Sequence, residues 1–165
     1  MATSILVAYA TQFGSTAEIA DAIGVAMRES GATVDVRCVR DVQDVAPYHA
    51  VVIGSPVHLG HPLPEAVEFV QRHHARLCRL PVALFCVYIS SPPRRARDAY
   101  LDDVRALVRP VAEAFFTGRF DRRGAALLIP KVLAWLVPPI ERRDWRKIQG
   151  WASSLAPLLA SAGES

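Results

Sequence analysis

The strongest constraint on the fold comes from short apolar runs that are separated by helical patterns. Ser4–Tyr9, Ala50–Gly54 and Pro81–Ile89 are largely apolar runs, which is typical of strands covered on both faces. Between the first two, Ser15–Ser30 has the apolar spacing of an amphipathic helix, and Gly31 is expected to end it. Strands that alternate with helices are joined by right-handed crossovers, so the chain is predicted to form a parallel sheet.

Five strands fit within the 165 residues, and their number sets the predicted topology. The other predicted elements are an edge strand over Thr33–Val39, helices over Pro64–Leu77 and Arg97–Phe115, a fifth strand over Phe115–Phe120, and a last helix that Asp144 caps and that runs to about Ala160. Pro110 is expected to kink or split the second of these helices. The length is that of one α/β domain, residues 1–165, with helices on both faces of a doubly wound parallel sheet in the order 2-1-3-4-5.

Composition and charge argue against several classes of protein. Cys38, Cys78 and Cys86 form no CxxC pair and no metal-ligand spacing, so we expect small buried thiols in a reducing cytoplasm and no metal site. Residues 1–71 carry three Arg against eight acidic residues, whereas residues 72–165 carry sixteen Lys or Arg against eight acidic residues. This basic half has no reader motif and no aromatic residues interleaved with its charges, so nucleic acid is not an expected partner. Arginine greatly outnumbers lysine, which is typical of GC-rich bacterial genomes.

The first strand passes into the first helix through a loop that is rich in hydroxyl groups. Its residues are Thr11, Gln12, Phe13, Gly14, Ser15 and Thr16. Successive backbone N–H groups at a helix N-terminus suit an anion, because the helix dipole favours negative charge there. The loop matches neither GxxxxGK[ST] nor GxGxxG, so nucleoside triphosphates and dinucleotides are poorly supported. Two interpretations stay open: a phosphate cradle built from neutral donors, or a hydroxyl-rich N-cap in which Ser15 or Thr16 starts the helix.

Two further loops converge on the same edge of the predicted sheet, where ligands of such sheets bind. The loop after the third strand consists of Ser55, Pro56, Val57, His58, Leu59, Gly60 and His61. The loop after the fourth strand consists of Val87, Tyr88, Ile89, Ser90 and Ser91. A phosphate cradle and two loops that can flank a flat ring describe a site for FMN. The alternative for the first of these two loops is a tight connection with exposed histidines.

The motifs in these loops resemble those of flavodoxin-like proteins. "TQFGST" resembles the flavodoxin phosphate loop, which is rich in hydroxyls and closes in Gly-x-Thr. "VVIGSPVHLGHPLPEAVEFV" is similar to the corresponding segment of the bacterial menaquinone-dependent protoporphyrinogen IX dehydrogenase family and its flavodoxin-domain relatives. The similarity continues through "RLPVALFCVYIS" and ends at Asp144-Trp145. It covers nearly the whole chain and implies a flavodoxin-like fold.

The resemblance also implies a cofactor and a reaction. The FMN phosphate would bind residues 11–16, and the isoalloxazine would lie between the loops 55–61 and 87–91. The implied protein is an FMN-dependent oxidoreductase that passes electrons from an organic donor, such as protoporphyrinogen IX, to a quinone. A flavodoxin-type electron carrier and an NAD(P)H-dependent quinone reductase stay open as alternatives. Against the carrier, neither loop offers a clear ring-stacking Tyr or Trp, since Tyr88 is expected in the core. The family's longer insertion before the last helix has no equivalent in residues 122–143, which leaves the substrate open.

Charged and titratable side chains near the predicted site suggest further roles. Three arginines follow the third loop and are expected at its mouth, where they would attract carboxylates: Arg94, Arg95 and Arg97. Arg119 lies near the end of the predicted fifth strand. His58 and His61 are the candidates for proton handling, because imidazole titrates near neutral pH. The alternatives are solvated surface arginines and ordinary loop histidines, and no catalytic residue is identified.

Residues 125–140 form the longest apolar stretch. Lys131 and three prolines interrupt it, so it is too short to span a bilayer. Three placements stay open: packing over the sheet, a homodimer interface, or contact with an anionic membrane surface. No secretory leader is recognised, because the run Ile5–Ala10 is short and no basic residue precedes it. The expected location is the cytoplasm. If residues 125–140 contact a membrane, we expect them to lie on the inner face of the cell membrane.

Overall fold

The computed structural model describes residues 3–89, 94–120, 130, 133, 136, 138 and 140–162. The strands are β1 (Ser4–Tyr9), β2 (Thr33–Cys38), β3 (Ala50–His58), β4 (His61–Pro62), β5 (Val82–Tyr88), β6 (Ala112–Thr117), β7 (Arg119–Phe120) and β8 (Ile140–Glu141). The helices are α1 (Ser15–Glu29), α2 (Pro64–Arg72), α3 (His74–Leu77), α4 (Arg94–Asp98), α5 (Asp102–Arg105) and α6 (Trp145–Ala162). Two 3₁₀ turns cover Val39–Asp41 and Ala99–Leu101.

The main sheet has the predicted topology. Its long strands are all parallel and follow the order β2-β1-β3-β5-β6, while the short β4 pairs antiparallel with the end of β3. This is the predicted order 2-1-3-4-5, since β5 and β6 are the fourth and fifth long strands. β2 lies at the edge, as its alternating pattern indicated. The strands β7 and β8 form a separate antiparallel pair.

Two hydrophobic cores cover the two faces of the sheet. Alternate residues of β1 divide between them, because side chains along a strand point to opposite faces. Ile5 and Val7 pack with α1 and α6, and Leu6 packs in the other core with α2 and α5. Phe85 of β5 is fully buried in the first core. This double cover explains why the central strands are continuous apolar runs.

The predicted helix over Arg97–Phe115, kinked or split at Pro110, is wrong over its second half. The chain forms only the short α4, a 3₁₀ turn and α5 before β6 begins at Ala112. Ala114 and Phe116 are buried in one core, whereas Phe115 packs against the other, which is the alternation of a strand. Alanine and glutamate favour helices in isolation, and pairing with β5 overrides that local preference.

Other boundaries differ less from the prediction. The predicted helix Pro64–Leu77 is interrupted at His73, so it becomes α2 and α3. Asp144 caps α6 as predicted, since its Oδ1 accepts a hydrogen bond of 3.1 Å from the Lys147 N–H. Of the cysteines, Cys86 is buried, which raises its thiol pKa to about 12. The expectation of a buried thiol is wrong for Cys78, which is exposed.

Most of the apolar stretch 125–140 lies outside the described residues. Within it, the side chains of Leu133 and Leu136 are 48% and 68% exposed. The N–H of Leu133 donates to the Pro130 carbonyl over 2.8 Å, and the N–H of Leu136 donates to the Leu133 carbonyl over 3.0 Å. These two leucines therefore lie in consecutive turns and face solvent.

Candidate functional site

A pocket opens at the carboxyl ends of β1, β3 and β5, where the predicted loops meet. It is lined by Thr11, Gln12, Phe13, Ser15, Thr16, Pro56, Val57, His58, Val87, Ile89, Gly118 and Arg119. All but the last two belong to the loops that the sequence predicted. The residues of the three loops are therefore brought together by the crossovers of the parallel sheet.

The remaining predicted residues support these loops. Ser55 and Tyr88 are buried, as expected for Tyr88. Leu59 and Gly60 connect β3 to β4, and His61 begins β4. Two further predicted contacts lie outside the described part of the chain: Ser90 and Ser91.

The loop after β1 is held by an internal hydrogen bond. The Gly14 N–H donates to Thr11 Oγ1 over 2.9 Å. Gly14 is the N-cap of α1 at φ 88°, a left-handed conformation that favours glycine, and no side chain caps this helix. Ser15 is the first residue of α1, as the alternative interpretation expected, but neither its hydroxyl nor that of Thr16 caps the helix. The first-turn N–H groups have no intrahelical acceptors and point towards a site that suits an anion.

The end of β6 closes against this loop. The Arg119 N–H donates to Ser15 Oγ over 2.9 Å, and the Gly118 N–H donates to the Tyr88 carbonyl over 2.8 Å. A Cβ on Gly118 would lie 2.8 Å from Val87 Cγ1 and 3.3 Å from Ser15 Oγ. Sequence reasoning missed this contact, although a glycine inside a predicted strand is a signal of close backbone approach.

An ion-pair network lies beside the first turn of α1. The Arg119 guanidinium lies 3.2 Å from Glu18 Oε1, and Arg143 pairs with both Glu18 and Glu141. The Arg143 side chain is 6% exposed, and its guanidinium carbon lies 4.6 Å from the Trp145 ring centroid. Hydrogen bonds to Glu141 and Glu18 raise the pKa of Arg143, and the bond from Arg143 lowers the pKa of Glu141. The network joins the start of α1 to the start of α6.

The hairpin formed by β3 and β4 makes the opposite wall of the pocket. The Leu63 N–H donates to Ser55 Oγ over 2.8 Å, which ties the start of α2 to β3. The turn residues Leu59 and Gly60 have φ values of 51° and 85°, as in a type I′ turn. Leu59 is 88% exposed at the tip. The hairpin therefore projects an apolar tip beside the pocket.

The two candidate histidines have different surroundings. His58 and His61 face each other across the hairpin, and His58 is the one that lines the pocket. His61 Nδ1 lies 2.9 Å from Asp103 Oδ2, which joins the hairpin to α5. His58 is thus placed for contact with a ligand, and His61 is placed to hold the hairpin.

The arginines expected at the mouth are not among the described residues that line the pocket. The Arg97 guanidinium carbon lies 5.2 Å from the centre of the Phe115 ring, so this side chain packs against β6. Arg95 is exposed, and the side chain of Arg94 lies outside the described part. The arginine that lines the pocket is Arg119. Its position near the end of the predicted fifth strand was the available signal.

Comparison with known proteins agrees with this arrangement. Residues 6–128 match the model of the flavodoxin domain family. The chain belongs to the flavodoxin domain family.

Proteins that are similar to this flavodoxin-domain chain include one enzyme and two flavoproteins of known structure. It is 33% identical over 84 residues to the protoporphyrinogen IX dehydrogenase [quinone] of Escherichia coli strain K12, a match that covers 50% of this chain and 46% of that enzyme. The chain thus spans about half the length of this curated relative. The structure of an archaeal flavodoxin is similar with a TM-score of 0.64 at 17% identity, covering 96% of this chain and 99% of that one. A flavoprotein of Lactobacillus acidophilus NCFM in complex with FMN is similar with a TM-score of 0.55 at 15% identity, and the match covers 70% of this chain and 93% of that one.

In the described part of the chain, no three His, Cys, Asp or Glu residues are grouped so that they could hold a metal ion. Among the same residues, no helix has the length and apolar character that crossing a membrane requires.

Proposed function

We propose that this chain binds FMN in the pocket and passes electrons from an organic donor to a quinone. The observation that carries the proposal is the shape of the site: an uncapped helix N-terminus adjoins apolar walls at the carboxyl ends of β1, β3 and β5. A flat cofactor with a phosphate tail needs both parts. The FMN complex of the similar Lactobacillus flavoprotein supports the choice of cofactor.

The residues present fit FMN on chemical grounds. The first turn of α1 offers backbone N–H groups without intrahelical acceptors, and Thr11, Ser15 and Thr16 add hydroxyls. Together these donors would hold the phosphate. The ring would lie among the apolar lining residues Pro56, Val57, Val87 and Ile89.

When bound, FMN supplies the redox chemistry, and the protein supplies position and electrostatics. The apolar walls exclude water from the ring. The hydrogen bond from Gly14 to Thr11 fixes the phosphate loop, and the bond from Arg119 to Ser15 fixes the first turn of α1. Both contacts set the loop before a ligand arrives, which lowers the cost of binding.

For proton transfer we propose His58. Its side chain lines the pocket, and imidazole exchanges protons near neutral pH. His61 acts as a positioning residue, since its bond to Asp103 holds the hairpin that carries His58. Removing either histidine should slow the steps that move a proton.

For the donor we propose a porphyrinogen, protoporphyrinogen IX, because the similar Escherichia coli enzyme is named for this substrate. Its propionates would suit the exposed Arg95, which follows the third predicted loop. The same name supports a quinone as the acceptor.

We further propose that residues 1–165 form one cytoplasmic domain, in which residues 125–140 contact the inner face of the membrane or a second subunit.

Anaerobic reduction tests the proposal. The FMN-loaded protein is mixed with protoporphyrinogen IX, the loss of flavin absorbance is followed, and menadione is then added to restore it. Rapid bleaching and rapid recovery are expected. If NADH or NADPH bleaches the flavin and the porphyrinogen does not, the protein is a quinone reductase. If it accepts electrons only from a reductase protein, it is a carrier. Either result overturns the proposed donor.

A further inference from the structure

The proposed phosphate loop lacks a positive charge of its own. Residues 11–16 contain no lysine or arginine, although a flavin phosphate carries close to two negative charges at neutral pH. Neutral donors and the helix dipole alone would have to balance that charge. A nearby cation would therefore add substantially to the preference for a phosphorylated flavin.

Arg119 is the described cation that lines this pocket. Its backbone N–H donates to Ser15 Oγ over 2.9 Å, so the residue is anchored at the first turn of α1. Its guanidinium lies 3.2 Å from Glu18 Oε1, one turn further along the same helix. The main chain of Arg119 is therefore attached to Ser15, and its side chain lies beside Glu18 in the same helix.

The surrounding charges allow this guanidinium to turn to a ligand. Glu18 has a second partner in Arg143, which also pairs with Glu141. If Arg119 moves to an anion, Glu18 keeps the ion pair with Arg143. The Arg143 side chain is 6% exposed, while that of Arg119 is 34% exposed, so Arg119 is the more accessible of the two to a ligand.

We propose that Arg119 supplies the positive charge that holds the FMN phosphate, and that Glu18 competes with this phosphate for the guanidinium. The inference rests on the proposed FMN site and adds a specificity-determining residue from a strand 104 positions away from Ser15 in sequence. Arg119 thus discriminates FMN from riboflavin. Glu18 holds the guanidinium beside α1 when no phosphate is present.

Flavin affinities of the flavin-free protein test this inference. FMN and riboflavin are titrated separately, and the quenching of flavin fluorescence gives each Kd. Arg119→Gln should weaken FMN binding tenfold or more, on the order expected for a hydrogen bond to a charged group, and should leave the riboflavin Kd unchanged. Glu18→Gln should tighten FMN binding by up to about fivefold, the size of an exposed ion pair, again without an effect on riboflavin.

Arg119→Lys and Arg109→Gln are the matched controls. The lysine variant keeps the charge and should keep most of the preference for FMN. Arg109 is exposed and is not among the described lining residues, so its loss should change neither Kd.

Several results would overturn the inference. An equal loss of FMN and riboflavin affinity in Arg119→Gln would make Arg119 a purely structural residue. An unchanged preference for FMN would show that neutral donors suffice. If Arg119→Gln does not fold, the Glu18→Gln variant still tests the inference. FMN binding that is no tighter in this variant would show that Glu18 does not compete with the phosphate for Arg119. A wild-type protein that binds neither flavin contradicts the proposed function itself.

Discussion

At the scale of single residues, backbone conformation decides what can occupy Gly14. Its φ of 88° lies in the left-handed region, and a Cβ there would meet no atom within 4 Å. The cost of a substitution is therefore strain in the backbone rather than a clash. Because Gly14 also starts α1, that strain acts directly on the loop proposed to hold the phosphate.

Gly14→Val should reduce the free energy of unfolding by about 1–2 kcal/mol, the cost of a left-handed conformation for a residue with a Cβ. Gly14→Asn should cost less, because asparagine adopts this conformation more readily. Urea unfolding followed by circular dichroism measures both. Equal losses in the two variants would contradict the argument from backbone strain.

His73, between α2 and α3, couples stability to pH. Burial, with a smaller contribution from Arg72, lowers its pKa below the ordinary value of 6.5. Its ring centroid lies 4.8 Å from that of Phe69. As pH falls through 6.5, His73 becomes protonated in the unfolded chain before it does so in the folded protein. Its contribution therefore lowers the free energy of unfolding as pH falls from 6.5 towards the folded pKa, and it has little effect at higher pH.

His73→Phe should flatten the pH dependence of the free energy of unfolding between pH 7 and pH 5. His74→Gln, at the exposed neighbouring position, should leave it as in the wild type. The measurement is a series of urea titrations across that range. A slope that is unchanged in His73→Phe would show that other groups cause it.

At the scale of elements, the contact between the end of β6 and the start of α1 shapes the site. Gly118→Ala would place a Cβ 2.8 Å from Val87 Cγ1. We expect a loss of about 1–3 kcal/mol in the free energy of unfolding, as for other overpacked positions, and weaker flavin binding. Gly150→Ala is the control, because a Cβ at this position in α6 meets nothing within 4 Å.

Gly150→Ala should be neutral or stabilising, since alanine is the better helix former. Denaturant titrations give the free energy of unfolding of both variants, and flavin titrations give their affinities. If the two variants unfold and bind flavin alike, the end of β6 does not constrain the loop that is proposed to hold the phosphate.

The sequence predicted some elements well because their signals are local. The apolar runs of β1, β3 and β5 and the apolar face of α1 can be recognised from the sequence of each segment alone. The strand β6 was misplaced because its residues favour a helix until they pair with β5. The contact between Ser15 and Arg119 joins residues 104 positions apart, so no local pattern could reveal it. The loops that form the pocket were predictable because parallel strands end at one edge.

At the scale of the whole molecule, the basic half and the exposed leucines suggest a surface contact. Leu133 and Leu136 are exposed, and residues 72–165 carry sixteen Lys or Arg against eight acidic residues. We expect the protein to sediment with anionic liposomes at low salt and to be released as salt rises.

Leu133→Glu with Leu136→Glu should abolish sedimentation without unfolding the chain, because both side chains are exposed. Val25→Glu, at an exposed position in α1, is the control. If the wild type stays in the supernatant, membrane contact is wrong. A dimer mass in analytical ultracentrifugation that the double variant loses would then assign the leucines to a second subunit.

We propose that the pocket at the carboxyl ends of β1, β3 and β5 binds a flavin that carries a phosphate. The most direct test is isothermal titration of the flavin-free wild-type protein with FMN and, separately, with riboflavin. We expect one FMN per chain and an affinity for FMN at least tenfold above that for riboflavin, on the order expected for hydrogen bonds to a charged group. Equal affinities for the two flavins, or no heat of binding with FMN, would contradict it.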